Sequence, residues 1–210
     1  LGPEESDQEC VRILNRIMEW DDRGMQHEGD QRHVEISMQE TGILEDSREI
    51  STPTDKSVNK LESPDVPLSP EMATKYRGIT ERMNDLGQDR GDIQFAVKEL
   101  GREMSRPTDK SWVKLKRLVR YLKGVPRARI RYEYQEKPRG ITVWSDSDFA
   151  GCEKSRKSTS AGVVQLGSDL LKSWSTSQAV IALSWGEAEY YALVKCASVS
   201  LGIESMMGGL

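Results

Sequence analysis

The hydrophobic period of this chain changes at Pro126. Before it, apolar residues recur at three- and four-residue steps, the spacing of one helix face; after it, they recur at steps close to two, the spacing of a strand. Helices followed by a strand-rich region are expected, an α/β class with an α+β lead-in. That order limits where chemistry can be placed.

Four stretches follow from the pattern. Residues 1–50 are acidic and mixed, with Val11, Ile13, Leu14, Ile17 and Met18 at helix-compatible spacing and a polar-apolar stretch from Val34 to Met38. Residues 51–70 hold Pro53, Pro64, Pro67 and Pro70 among Ser, Thr, Asp and Lys, which neither helix nor central strand accommodates, so an exposed linker is expected. In residues 71–125, Glu71 to Leu86 predicts one amphipathic helix, and Asp92 to Ser105 predicts a second with Ile93, Ala96, Val97, Leu100 and Met104 on one face. Pro107 breaks the pattern, and Thr108 or Asp109 caps a third helix whose Trp112, Leu115, Val119 and Leu122 repeat until Gly124.

Residues 126–210 read as strands around Arg129–Tyr134, Ile141–Trp144, Ala161–Leu166 and Leu170–Thr176, with Gly167-Ser168-Asp169 as a hairpin turn. Ser184 to Glu187 fits a capping box, opening a helix with Ala188, Ala192, Cys196, Val199 and Ile203 along one side. A β-β-β-α region after a lead-in strand results.

Charge is unevenly spread. The net charge is -4, yet residues 110–139 carry eleven basic side chains against Glu133 and Glu136. Two readings stand side by side: a polyanion-binding surface, with Lys114, Arg117 and Arg120 along a phosphate backbone, or a solvated helix face. The longest apolar run, Ala179 to Leu183, is far short of the roughly 20 residues of a membrane span. Cys10, Cys152 and Cys196 fit neither a disulfide framework nor a zinc spacing, which suits an intracellular protein of cytoplasm or nucleus. Residue 1 is Leu, as expected of a piece of a longer product.

Ser145-Asp146-Ser147-Asp148-Phe149-Ala150-Gly151, then Arg156-Lys157-Ser158-Thr159-Ser160, then Glu187-Ala188-Glu189-Tyr190 form an acidic, basic, acidic series. Metal-dependent nucleases need carboxylates from different elements converging on two cations, and magnesium takes hard oxygen donors. Asp146 follows an apolar strand and Glu189 lies near a helix start. The alternative roles are a turn and a solvated face.

These pieces, with Ser173-Trp174-Ser175 and Ala182-Leu183-Ser184-Trp185-Gly186-Glu187-Ala188-Glu189-Tyr190, resemble the ribonuclease H domain of copia-type retrotransposon polyproteins. Asp92-Ile93-Gln94-Phe95-Ala96-Val97, Met104 to Thr108 and Leu118 to Gly124 resemble the segment that closes the reverse transcriptase of the same family, and Ser51-Thr52-Pro53 its linker. The resemblance implies the end of a reverse-transcriptase region over 1–50, a linker over 51–70, a helical connection segment over 71–125, and an incomplete ribonuclease H-like β-β-β-α domain over 126–210. It implies magnesium-dependent hydrolysis of RNA in an RNA–DNA hybrid, with Asp146 and Glu189 as catalytic metal ligands. Asp148 is a helper or a turn residue. Arg156, Lys157 and Ser158 contact nucleic acid or form a charged turn, Trp144 and Trp174 pack, and Tyr190 and Tyr191 mostly pack. RNA–DNA hybrid or another nucleic acid, and the rest of a reverse transcriptase, are the implied partners, with no membrane.

Departures from the family pattern accompany the match. Its third and fourth acidic residues are not found, Gly91 replaces a proline, Asp85 an aromatic residue and Trp185 a small one. The two-metal site is expected to be incomplete, and the activity lost or very low. The alternatives are a non-catalytic nucleic-acid-binding module, or a transposon remnant without a selected role.

Overall fold

The structure is a computed structural model and describes residues 9–55, 57–58 and 65–208. The described residues comprise β1 (Cys10–Ile13), β2 (Arg16–Asp21), β3 (Gly24–Glu28), α1 (Arg32–Thr41), α2 (Pro70–Leu86), a 3-10 turn (Gly91–Ile93), α3 (Gln94–Arg102), α4 (Asp109–Gly124), β4 (Arg129–Glu133), β5 (Ile141–Asp148), β6 (Thr159–Leu166), β7 (Asp169–Ser177) and α5 (Trp185–Met207). The mixed α/β class agrees with the pattern. One sheet has the strand order β1-β2-β3-β4 and the other β5-β6-β7.

Two compact units divide the chain: Leu1–Cys10, Glu19–His27 and Ile130–Leu210 form one, and Val11–Met18 with Glu28–Arg129 form the other. The second unit is built by helices. Val34, Tyr76, Ile79, Met83, Leu100 and Leu115 are among the residues of its core, and each such side chain contributes roughly 1.5–3 kcal/mol by leaving water. Tyr76, wholly buried, donates its hydroxyl to the Leu100 carbonyl at 2.8 Å. Arg90 is buried too, and it donates to both oxygens of Asp92 at 2.9 and 2.7 Å and to the Val125 carbonyl at 3.0 Å. Tyr121 completes this polar knot by donating to Asp92 at 2.8 Å.

Local chemistry explains the boundaries. Ser69 caps α2 ahead of Pro70, and Thr108 with Ser111 forms a reciprocal box at α4. The predicted helix over Asp92–Ser105 starts as a 3-10 turn and ends at Arg102. Residues 11–18, whose spacing suits a helix, are instead strands joined by Leu14 and Asn15, both at positive φ of 50° and 64°. Two consecutive left-handed residues make the tight turn of a hairpin, and that overrides the apolar spacing. Val34 to Met38 lies on α1.

The expected linker is partly docked. The Leu68 amide donates to the Pro107 carbonyl and the Asp109 amide to the Val66 carbonyl, so this proline-bearing segment pairs with the chain entering α4. Val58 is buried. Residues 56 and 59–64, including Pro64, lie outside the described residues.

In the first unit, β5, β6 and β7 form a continuous antiparallel meander with Gly167 at φ 60° in the β6–β7 turn. Gln135 plugs that turn, donating to the Leu166 carbonyl and Asp169 while accepting from the Ser168 amide. α5 packs on β5 and β6 through Ala188, Ala192 and Cys196, with Val199 and Ile203 alongside the Val164–Trp174–Cys196 core. The lead-in strand β4 belongs to the other sheet. No helix among the described residues is long and apolar enough to cross a membrane.

Candidate carboxylate and nucleic-acid site

Asp146 lies inside β5 rather than beyond its end, directly opposite Ala161. Its neighbours Ser145 and Gly162 are also paired, and the next residue across is Trp174. A Cβ on Gly162 would strike the Trp174 ring and the Cys196 sulfur, so the Ser145–Gly162–Trp174 row faces α5. Side chains alternate along a strand, which turns Asp146 and Ala161 to the opposite face. Asp146 is exposed there, on the face that α5 leaves uncovered.

Glu189 is exposed on α5, one turn after the helix opens. Ser184 caps that helix by accepting from the Glu187 amide at 3.1 Å. The Glu187 carboxylate then accepts from the Leu183 amide at 2.8 Å, one residue earlier than a strict capping box requires. It also accepts from the Tyr191 hydroxyl at 3.0 Å. Gln178, buried, donates to Ser160 Oγ and to the Ala188 carbonyl, fastening the start of α5 to β6.

The structure therefore carries Asp146 and Glu189 on neighbouring elements but does not gather them on one sheet face. Their oxygens are the donor type magnesium prefers. Among the described residues, however, no group of three or more His, Cys, Asp or Glu side chains could hold a metal ion.

Other candidate residues take structural duties. Asp148 accepts the amide hydrogen of Thr159, its strand partner, and Gly151 leaves the space its carboxylate occupies. Ser158 is wholly buried, and its Oγ accepts from the Ala150 amide at 3.0 Å. That hydroxyl closes the β5–β6 loop and is withdrawn from any ligand on the surface. Arg156 and Lys157 remain on that loop; Arg156 is exposed, with a left-handed φ of 56°. Trp174 is in the core, whereas Trp144 stands on the uncovered sheet face and donates to Gln165 at 3.1 Å. Tyr190 and Tyr191 are exposed rather than packed.

The basic window is largely engaged. Lys114 pairs with Glu103 at 2.6 Å, and Arg117 donates to Thr52 at 2.8 Å and pairs with Asp55 at 3.4 Å. Arg120 donates to the Arg48 carbonyl and Lys123 to that of Ser47, both at 2.8 Å. Arg127 and Arg129 grip buried Glu28, and Arg131 forks onto Asp21. The Arg131 guanidinium, with the Arg23 amide, holds the Asp21 carboxyl far below its ordinary range. The half-buried side chains of Lys114, Arg117 and Arg120 thus reach protein groups and do not line an open cationic face. The sequence shows the cations; it does not show these partners, most of which lie far away along the chain.

Comparison with known proteins places the chain. Over 125 residues, 60% of this chain and 8% of the relative, it is 34% identical to the retrovirus-related Pol polyprotein from transposon RE2 of Arabidopsis thaliana. Over 134 residues, 64% of this chain and 9% of the relative, it is 33% identical to the corresponding polyprotein from transposon RE1. An uncharacterized mitochondrial protein of the same plant is 30% identical over 172 residues, which are 80% of this chain and 68% of that protein. The chain spans less than a tenth of the length of the two polyproteins. No protein-family model and no solved structure matches it. The chain belongs to the family of copia-type retrotransposon Pol polyproteins.

Proposed function

We propose that this chain is a segment of a Pol polyprotein in which the β5-β6-β7-α5 region is a ribonuclease H-like β-β-β-α scaffold, preceded by the helical connection that closes a reverse transcriptase. The activity of such a scaffold is magnesium-dependent hydrolysis of the RNA strand in an RNA–DNA hybrid, and Asp146 and Glu189 are the carboxylates this chain brings to it. The observation that carries the reading is the antiparallel meander with α5 packed over β5 and β6, in a chain whose relatives are Pol polyproteins. By itself the 210-residue chain is a poor catalyst. Two carboxylates on different faces leave the charge of a scissile phosphodiester and of a departing oxygen without paired cations.

The test is hydrolysis of a labelled RNA–DNA hybrid by the purified chain with magnesium. Turnover at background is expected. Turnover that Asp146→Asn abolishes would overturn the low-activity reading, because it requires a working metal site built on that carboxylate.

The competing reading, a non-catalytic nucleic-acid module using Lys114, Arg117 and Arg120, has less support because these side chains have partners within the protein.

A further inference from the structure

Phe149 and Trp185 approach with their ring centroids 5.2 Å apart and their planes 40° from parallel. Phe149 lies on the loop that leaves β5, and Trp185 is the first residue of α5. Burial does not explain the pair, since Trp185 remains 67% exposed. The pair thus leaves the indole of Trp185 open to a planar ligand.

Helical spacing adds a second relation. Trp185 and Glu189 are four residues apart and so lie on the same side of α5, one turn from each other. A planar group resting on Trp185 is held next to that carboxylate.

The third element is cationic. The loop that bears Phe149 also carries Lys154, Arg156 and Lys157, whose charged groups have no ion-pair partner among the described residues, in contrast to the basic window upstream. The loop is closed on itself. The Cys152 amide donates to the Lys157 carbonyl at 3.2 Å, and the Arg156 amide to the Cys152 carbonyl at 2.8 Å. These bonds and the Ser158–Ala150 contact hold the cations on the loop that presents the aromatic pair.

We propose that Phe149 and Trp185 form a stacking platform for an unpaired base, with the phosphates of the same strand lying along Lys154, Arg156 and Lys157. The ligand class is single-stranded RNA or DNA. Bases inside a duplex already stack on their neighbours, whereas an unpaired base offers its π-face to an exposed indole. The carboxylates of Glu153 on the loop and of Glu187 and Glu189 in the first turns of α5 oppose phosphate. They favour a pose in which the neutral base takes the α5 side and the backbone takes the loop. Stacking then carries more of the affinity than charge, and two or three phosphate contacts give a shallow salt slope of roughly -2.

This inference rests on the nucleic-acid reading above and adds strandedness to it. Its test needs neither metal nor turnover, so its outcome is separate from that of hydrolysis. Fluorescence anisotropy in EDTA compares the full chain binding a labelled oligo-dT and a blunt RNA–DNA hybrid of the same length. Wild type is expected to favour the single strand. Trp185→Ala is expected to weaken that binding roughly tenfold or more while leaving the hybrid unchanged, and Trp185→Phe to restore most of the loss. The double change Arg156→Ala with Lys157→Ala is expected to flatten the salt slope. A circular-dichroism melt matching wild type confirms that these surface variants fold. Unchanged oligo-dT affinity in Trp185→Ala, equal losses on both ligands, or no single-strand binding by wild type would each overturn the proposal; the last outcome would favour an apolar protein partner for the exposed indole.

Discussion

Gly162 lies opposite Trp174 in the β6–β7 register, and its missing Cβ is the space that the indole fills together with the Cys196 sulfur. This contact joins sheet to helix: Cys196 comes from α5, where burial pushes its thiol up from its ordinary range, and it donates to the Trp144 carbonyl at 3.4 Å. One hydrogen atom in place of a methyl group sets how closely α5 approaches the sheet.

Gly162→Ala is therefore expected to destabilise the β5-β6-β7-α5 unit by roughly 1–3 kcal/mol, the usual cost of overfilling a packed interior. The added methyl must displace either the ring or the helix. Chemical denaturation followed by tryptophan fluorescence measures this, and an unchanged midpoint would mean that the three groups are not packed as described.

Much of this packing was legible beforehand, because Ala188, Ala192, Cys196, Val199 and Ile203 mark one helix face by spacing alone. The helices from Pro70 to Gly124 were legible for the same reason, and their ends follow from Ser69, Thr108 and Pro107. The hairpin before Glu28 was not. Its turn begins with Leu14, a residue that seldom takes a positive φ, so the usual glycine or asparagine-glycine signal is missing and Asn15 alone hints at it. The side on which Asp146 emerges was hidden as well. Facing is decided by cross-strand register, and a shift of one residue would reverse it.

Charge pairing was equally hidden, and it carries the next prediction. Lys114→Ala, Arg117→Ala and Arg120→Ala remove contacts to Glu103, to Thr52 and Asp55, and to the Arg48 carbonyl. Each is expected to cost about 0.5–1 kcal/mol of stability, since these partners are partly screened by water. The triple variant should melt earlier and keep the salt dependence of nucleic-acid binding. A salt slope that drops by roughly two units, the counterions of three phosphate contacts, would return these residues to the binding face.

The helical unit should be acid-labile through two named carboxylates. Buried Glu28 accepts from Arg127 at 2.8 and 2.7 Å and from Arg129 at 3.0 Å. The Arg127 hydrogen bonds outweigh the opposing effect of burial and lower the Glu28 carboxyl below its usual range. At Asp92 burial is the largest influence and acts upward, yet Arg90 and Tyr121 together bring the carboxyl below its usual range. Both groups return in the unfolded chain to about 4. A folded value below the unfolded one means that the unfolded state binds protons first as pH falls. The stabilisation is complete above about pH 5 and is lost progressively as pH drops through the folded values. Urea midpoints are expected to be level from about pH 8 to 5 and to decline below about pH 4. Glu28→Gln should lower the midpoint at neutral pH, by roughly 1–3 kcal/mol for the weakened buried contacts. It should converge on wild type in acid, where the native carboxyl is itself protonated. Parallel curves for the two proteins down to about pH 3 would show that Glu28 is not held ionised by Arg127 and Arg129.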